Sequence, residues 1–234
     1  MRGQTHGLGG LRLGAALFNG DHTRLGEEVA RLDAAGVNFI HLDVFDGHFV
    51  SDLGFPPRTI AALRPLTKLP FEVHLGALEP LRFVPALADA GADLVIFHIE
   101  SVAMVYETLF MARQHGVRVG LALALGTPLS ALEPVIGSVD AVLLLARVTG
   151  EGARGAVFDP AVLPRVAAVR RMADAMGATV DVQVAGSVKR EHVADLCAAG
   201  MNSLALGGGL YRVPDMTAEV RELRRVAHEV QHGR

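Results

Sequence analysis

Apolar and polar positions alternate along this chain with two different periods. Short runs rich in Val, Ile, Leu and Phe occur at Leu13–Leu17, Phe39–Asp43, Phe71–Leu75, Leu94–His98, Val119–Leu123, Ala141–Leu145, Val180–Val184 and Ser203–Leu206. Runs this short and this continuously apolar are the pattern of strands covered on both faces. Between them lie amphipathic stretches of helical period, at Arg24–Ala35, Pro80–Ala90, Val102–His115, Pro160–Met176 and Arg190–Ala199, with a last one at Asp215–Gln231. Glycine closes several of these, as at Gly36, Gly91, Gly116 and Gly200, where it accepts the left-handed conformation that ends a helix. Strands alternating with helices predict a parallel sheet, and eight such units in one domain predict closure into a (β/α)8 TIM barrel.

The alternative, an open doubly wound sheet, predicts a glycine-rich dinucleotide turn after the first strand. Gly7, Gly9 and Gly10 come before that strand, so this reading fails. The length of 234 residues suits a single barrel, which typically needs roughly 200 to 250. We expect a flexible leader over residues 1–10 and one barrel domain over 11–234. Half the residues are hydrophobic and a fifth are charged, which argues against disorder. A net charge of −3 gives no broad basic surface for nucleic acid or acidic lipid. The one cysteine, Cys197, permits no internal disulfide, and no apolar run approaches a membrane span or a secretory signal. The expected setting is cytoplasmic.

In a barrel, chemistry gathers at the C-terminal ends of the strands. Strand two ends in His41-Leu42-Asp43, strand three in Glu72-Val73-His74 and strand four in His98-Ile99-Glu100. Strand alternation turns His41 and Asp43 to one face, and His74 lies beside them on the next strand. Two imidazoles and a carboxylate converging at the mouth suit a divalent metal, and each alone has a structural alternative as a hydrogen-bonded strand-end residue. Asp43 also has the chemistry of a general base for a proton next to a polarised carbonyl, or of a mere ligand or cap. Asp46-Gly47 reads as turn chemistry, and Glu100 as a helix cap. Gly207, Gly208 and Gly209 follow strand eight and open a helical turn, where backbone N–H groups can hold a phosphate, with a flexible loop as the alternative. The loop from Arg147 to Phe158 follows strand six, and its Arg147 and Arg154 are candidates for a phosphate or carboxylate, or two solvated cations.

These motifs carry a resemblance. The stretch from His41 through Asp43 and Asp46-Gly47-His48 to Val50 resembles the strand-two signature of ribulose-phosphate 3-epimerases. Glu72-Val73-His74-Leu75 and Phe97-His98-Ile99-Glu100 resemble the family's strand-three and strand-four motifs, and the likeness runs from about Gly14 to Tyr211. The resemblance implies a barrel whose metal is held by two histidines and two aspartates, and epimerisation at C3 of a ketopentose 5-phosphate by two aspartates on opposite faces. His41, Asp43 and His74 match three of the ligands, and Asp43 the first acid/base.

The second aspartate belongs to a Val-Asp-Gly-Gly pattern after strand seven. Here that stretch reads Val184-Ala185-Gly186-Ser187, so Ala185 stands in its place. The family's early serine is Ala16, its pocket methionines are Phe45 and Gly76, and its Pro-Gly-Phe-Gly-Gly loop has become the arginine-containing loop, apparently two residues longer. Gln183 and Asp181 share the face of Ala185 but lie deeper, and a shifted register would bring Asp181 into play.

The implied function is a divergent epimerase-like enzyme using one divalent Zn, Mn or Fe per subunit on a small phosphorylated sugar. The alternatives are a one-base isomerase, lyase or aldolase, and a non-catalytic paralogue that binds a phosphosugar. By the same resemblance we expect a homo-oligomer, dimer or hexamer, with no nucleic-acid or membrane partner.

Overall fold

The structure is a computed structural model that describes residues 10–148 and 155–233. Eight strands, β1 (Arg12–Ala16), β2 (Phe39–Phe45), β3 (Phe71–Gly76), β4 (Leu94–His98), β5 (Arg118–Leu123), β6 (Ala141–Leu145), β7 (Asp181–Ala185) and β8 (Ser203–Leu206), pair in parallel in sequence order and close into a barrel. Around it run α1 (Leu25–Ala35), α2 (Pro57–Leu63), α3 (Val84–Asp89), α4 (Val105–Arg113), α5 (Val162–Ala175), α6 (Arg190–Ala198), the short α7 (Gly208–Tyr211) and α8 (Met216–His232). No described helix is long and apolar enough to cross a membrane. Of the expected leader, residues 1–9 lie outside the described part, as does Arg154.

Each strand sorts its side chains by parity. The odd residues of β1, such as Leu13 and Ala15, and the even residues of β2, such as Ile40 and Leu42, join the large core between barrel and helices. The opposite parity faces the barrel axis, where Leu94, Ile96, Ala122, Ala141, Leu143 and Leu145 form a second, smaller cluster with Ala185 against it. Strands buried on both faces explain why the sequence shows continuous apolar runs rather than strict alternation.

The helical layer departs from the sequence pattern at three places. Helix α2 was not expected. Its signal is Pro56-Pro57, since proline at the first helical position is pre-set for the helix and loses no hydrogen bond there. The stretch expected as one helix over Pro80–Ala90 is split into a 3-10 turn, Pro80–Arg82, and α3. After β5 the chain makes only 3-10 turns, Leu129–Leu132 and Ile136–Ser138, before β6.

Across β6 and β7 the register sets Leu143 opposite Gln183 and Leu145 opposite Ala185. Asp181 sits at the barrel floor. It pairs there with Arg12 and accepts from the Asn202 amide at 3.0 Å. No shifted register brings it to the mouth, so that expectation is corrected. Also at the floor, the Phe39 ring lies so close to Gly14 that a Cβ on Gly14 would come within 2.0 Å of it. Gly14→Ala is therefore expected to destabilise the fold by about 1–3 kcal/mol through overpacking. Denaturant midpoints should show this loss, and a Phe39→Leu change in the same chain should recover part of it.

Candidate active site

Parallel pairing of β2 with β3 puts Asp43 directly beside His74 and His41 beside Glu72. All four are on the axial parity. The result is a row of close polar contacts, hydrogen-bonded at every step except His41 to Asp43. His41 Nδ1 lies 3.0 Å from Glu72 Oε1, and His41 Nε2 lies 3.6 Å from Asp43 Oδ1. His74 Nδ1 is 3.1 Å from the same Asp43 oxygen. On its other side His74 Nε2 meets His98 Nε2 at 2.9 Å, and His98 Nδ1 meets Glu100 Oε2 at 3.1 Å.

The outer partners of this row are themselves held. The Gln183 amide donates to Glu72 at 2.6 Å and to Ser203 Oγ at 3.2 Å. Glu100 accepts from the Ala124 N–H at 2.8 Å and from the Thr127 hydroxyl. Glu100 thus ties His98 to the loop after β5, and the expectation that it caps the following helix is corrected. Asp46 takes the expected turn role. Its carboxylate accepts from the N–H groups of His48, Phe49 and Leu78, at 2.8, 2.9 and 2.8 Å, and joins the loops after β2 and β3.

Ligand atoms of His41, Asp43 and His74 lie within 4.8 Å of one another. Proton bookkeeping shows how this set fits a divalent cation. Glu72 and Glu100 are acceptors, so His41 and His98 direct Nδ1–H at them. His98 Nε2 is then an acceptor, and His74 must donate Nε2–H to it. That leaves bare lone pairs on His41 Nε2 and His74 Nδ1, both turned to Asp43 Oδ1. Three converging acceptors repel unless a cation lies among them, and both imidazoles have the outer partner that orients a metal-binding histidine.

Without an ion, protons take up part of that role. Burial opposes a charge on His41, but the Asp43 and Glu72 carboxylates outweigh it and push its pKa up to about 10. Burial likewise opposes the charge on Asp43, yet the hydrogen bonds and charges of His41 and His74 hold its carboxyl well below the usual range. At His74 burial wins, helped by the charges of His98 and His41 against Asp43, and the pKa falls to about 4. Glu100 is brought down to about 2, because bonds from His98, Thr127 and Ala124 outweigh its desolvation.

The remaining strands close the mouth with small or apolar groups. Ala16, Ala122, Leu145 and Ala185 are the last axial residues of β1, β5, β6 and β7, and Ala205 is that of β8. Both positions expected to have lost a family side chain, Ala16 and Ala185, are on this arc. Phe45 packs edge-on against His74, with ring centroids 5.5 Å apart, and Gly76 leaves room for it, since a Cβ there would come within 2.7 Å of that ring.

Arg147 follows β6, and its aliphatic stem crosses Gly186, where a Cβ would come within 2.8 Å of it. Gly207 precedes α7, while Gly208 and Gly209 form its first turn. Two neighbours there escaped the sequence reading. The Asn19 amide is 3.3 Å from where a Cβ on Gly207 would be, and the Arg212 guanidinium is 3.6 Å from the equivalent point on Gly208. Sequence separation hid Asn19, whereas Arg212 stands only four residues after Gly208. At the opposite end of the barrel a cleft of about 650 Å³ includes Arg64 and Asp93. Arg64 is committed there to Asp93 and to the carbonyls of Thr67 and Leu69, so the cleft reads as a structural seam.

Comparison with known proteins agrees with this geometry. Residues 12–211 match the family model described as the ribulose-phosphate 3 epimerase family. The chain is 35% identical over 215 residues to ribulose-phosphate 3-epimerase of Bacillus subtilis, covering 92% of this chain and 98% of the relative. It is 34% identical over 218 residues to that of Escherichia coli K12, covering 93% and 96%. Among solved structures, 3-hexulose-6-phosphate synthase from Salmonella typhimurium superposes with a TM-score of 0.67 at 17% identity, covering 94% of this chain and 100% of that one. KGPDC from Streptococcus mutans gives 0.69 at 12%, covering 95% and 99%. At such identities the structural likeness speaks for the fold alone.

Two outcomes follow from the protonation pattern. A divalent ion must displace the proton on His41, so calorimetry in buffers of different ionisation enthalpy should record about one proton released per ion at pH 7, with affinity falling as the pH is lowered. Glu100 is ionised more readily folded than at its ordinary value of 4.5. Its contribution is therefore present above about pH 4.5 and lost as the pH falls toward 2. Glu100→Gln should lower stability at pH 7 and flatten the loss between those two values in acid-unfolding curves.

Proposed function

Because the chain belongs to the ribulose-phosphate 3-epimerase family, we propose that it is a carbohydrate-phosphate epimerase or isomerase that removes a proton next to the carbonyl of a phosphorylated ketose, with Asp43 as the base. The observation that supports this reading most is the seating of Asp43. Its carboxylate stands at the mouth of the barrel between two imidazoles and is held below the usual range, so at neutral pH it is in the ionised form a general base requires. A divalent ion held by His41, Asp43 and His74 would polarise the carbonyl and steady the oxyanion that follows. Zn, Mn and Fe all suit a set of two imidazoles and one carboxylate.

The chain's own residues do the rest. Glu72 and His98 hold the two imidazole rings in one tautomer and orientation. The backbone N–H groups around Gly207, Gly208 and Gly209, with Asn19 and Arg212 beside them, would anchor the phosphate. Phe45 packs edge-on against His74 and would help keep water from the reacting carbon.

Ala185 favours a second reading, in which the enzyme needs one base only, as an isomerase, lyase or aldolase. Loss of all chemistry, leaving a phosphosugar-binding paralogue, is the outcome this proposal must beat. The test is solvent exchange. With zinc and ribulose 5-phosphate in deuterated water, the protein should introduce deuterium at a carbon next to the carbonyl, and Asp43→Asn should lower that rate by at least about 10³-fold while phosphate-dependent binding persists. Binding without exchange by the unmodified protein would identify the non-catalytic paralogue.

A further inference from the structure

We infer that this mouth transfers protons on one face of its substrate only, so that its net reaction is a shift between two neighbouring carbons, ketose phosphate to aldose phosphate, rather than inversion at one carbon. This rests on the reading of Asp43 as base. What carries it is how unevenly the barrel distributes its groups.

The carboxylates and imidazoles that the strands themselves carry to the mouth stand on three consecutive strands, β2 to β4, and the turn that follows β4. Facing them, β1 and β5 to β8 end in Ala16, Ala122, Leu145, Ala185 and Ala205. None of these side chains gives or takes a proton. The polar axial residues of β7 and β8, Gln183 and Ser203, are fully buried and bonded to each other, with Gln183 also donating to Glu72. At the rim beside Ala185, the Ser187 hydroxyl already donates to the Ala156 carbonyl at 2.8 Å. Arg147 lies across Gly186, and a guanidinium is a hydrogen-bond donor with no acceptor site. Among the described residues these five strand ends opposite Asp43 therefore hold no carboxyl or imidazole.

Inversion requires a donor across the plane of the enediolate from the base, within about 3 Å of the carbon. A shift on one face requires only the carboxyl that took the proton. The C–H bond at C1 of the ketose breaks, its proton goes to the Asp43 carboxylate, and its electron pair forms the C1–C2 double bond as the C2 oxygen takes the charge. Asp43 then returns the proton to C2 on the same face. The hydroxyl proton on O1 passes to the C2 oxygen, and the C1 carbonyl forms. Atoms and electrons balance without oxidant or reductant. Return to the original carbon on the same face would only regenerate substrate, so net turnover by a single carboxyl lies in transfer to the neighbour.

The full-length protein with zinc, incubated with ribulose 5-phosphate in deuterated water, should form a deuterated aldose 5-phosphate, with xylulose 5-phosphate at least tenfold scarcer. Ala185→Asp places a carboxylate on the empty arc. It should raise xylulose 5-phosphate formation tenfold or more, and should tighten zinc binding in a chelator competition, a readout independent of turnover. Xylulose 5-phosphate formed by the unmodified protein as fast as label enters would overturn the one-face inference alone. Label in neither protein would overturn it together with the role given to Asp43. An Ala185→Asp chain that folds but changes neither product nor zinc affinity would show that position 185 does not face the site, which also overturns the inference.

Discussion

The site depends on a line of carboxylates and imidazoles, Glu72, His41, Asp43, His74, His98 and Glu100, laid across β2, β3, β4 and the turn after β4. A buried carboxylate or imidazolium without a partner is strongly destabilising, and removal of one member of such a pair costs about 3–5 kcal/mol. Every group in this line is the partner of the next. The line is stable only as a whole, and only if a positive charge sits where the lone pairs of His41, Asp43 and His74 meet. Protein stability and the fit to a cation are thus two consequences of one arrangement.

The barrel supplies that arrangement cheaply. Parallel strands in register place residues of one parity side by side, so Asp43 meets His74 and His41 meets Glu72 with no loop involved. Loops only fasten the ends. Asp46 joins the loops after β2 and β3, and Glu100 joins His98 to the loop after β5. A site built on strands and locked by neighbours holds its geometry well. The remaining strands end at the mouth in small or apolar groups, Ala185 and Ala16 among them. A fold can keep its scaffold and change its reaction at such positions.

The strands were legible in the sequence because burial on both faces leaves an unbroken apolar signature, and the placement of His41, Asp43 and His74 follows from strand parity alone. Their outer partners were not legible. Gln183 meets Glu72 across 111 positions of sequence, and Asn19 meets Gly207 only through the closure of β1 on β8. Such contacts depend on the barrel's register, which no local pattern encodes. For the same reason Asp181 looked available beside Ala185, whereas closure sends it to the floor to meet Arg12. Helix α2 escaped because its seven residues are too few to show a helical period, and only its paired prolines mark it.

The protonation pattern of the three histidines at the centre is the most direct test of this account. Nitrogen-15 NMR of the imidazole rings reads each ring nitrogen separately, and zinc is diamagnetic. In the zinc-saturated protein the account predicts protons on His41 Nδ1, His74 Nε2 and His98 Nδ1, with His41 Nε2 and His74 Nδ1 shifted as metal-bound nitrogens. A proton retained on His41 Nε2 or on His74 Nδ1 with zinc present would contradict it, and would mean that the cluster is a hydrogen-bonded structural element rather than a cation site.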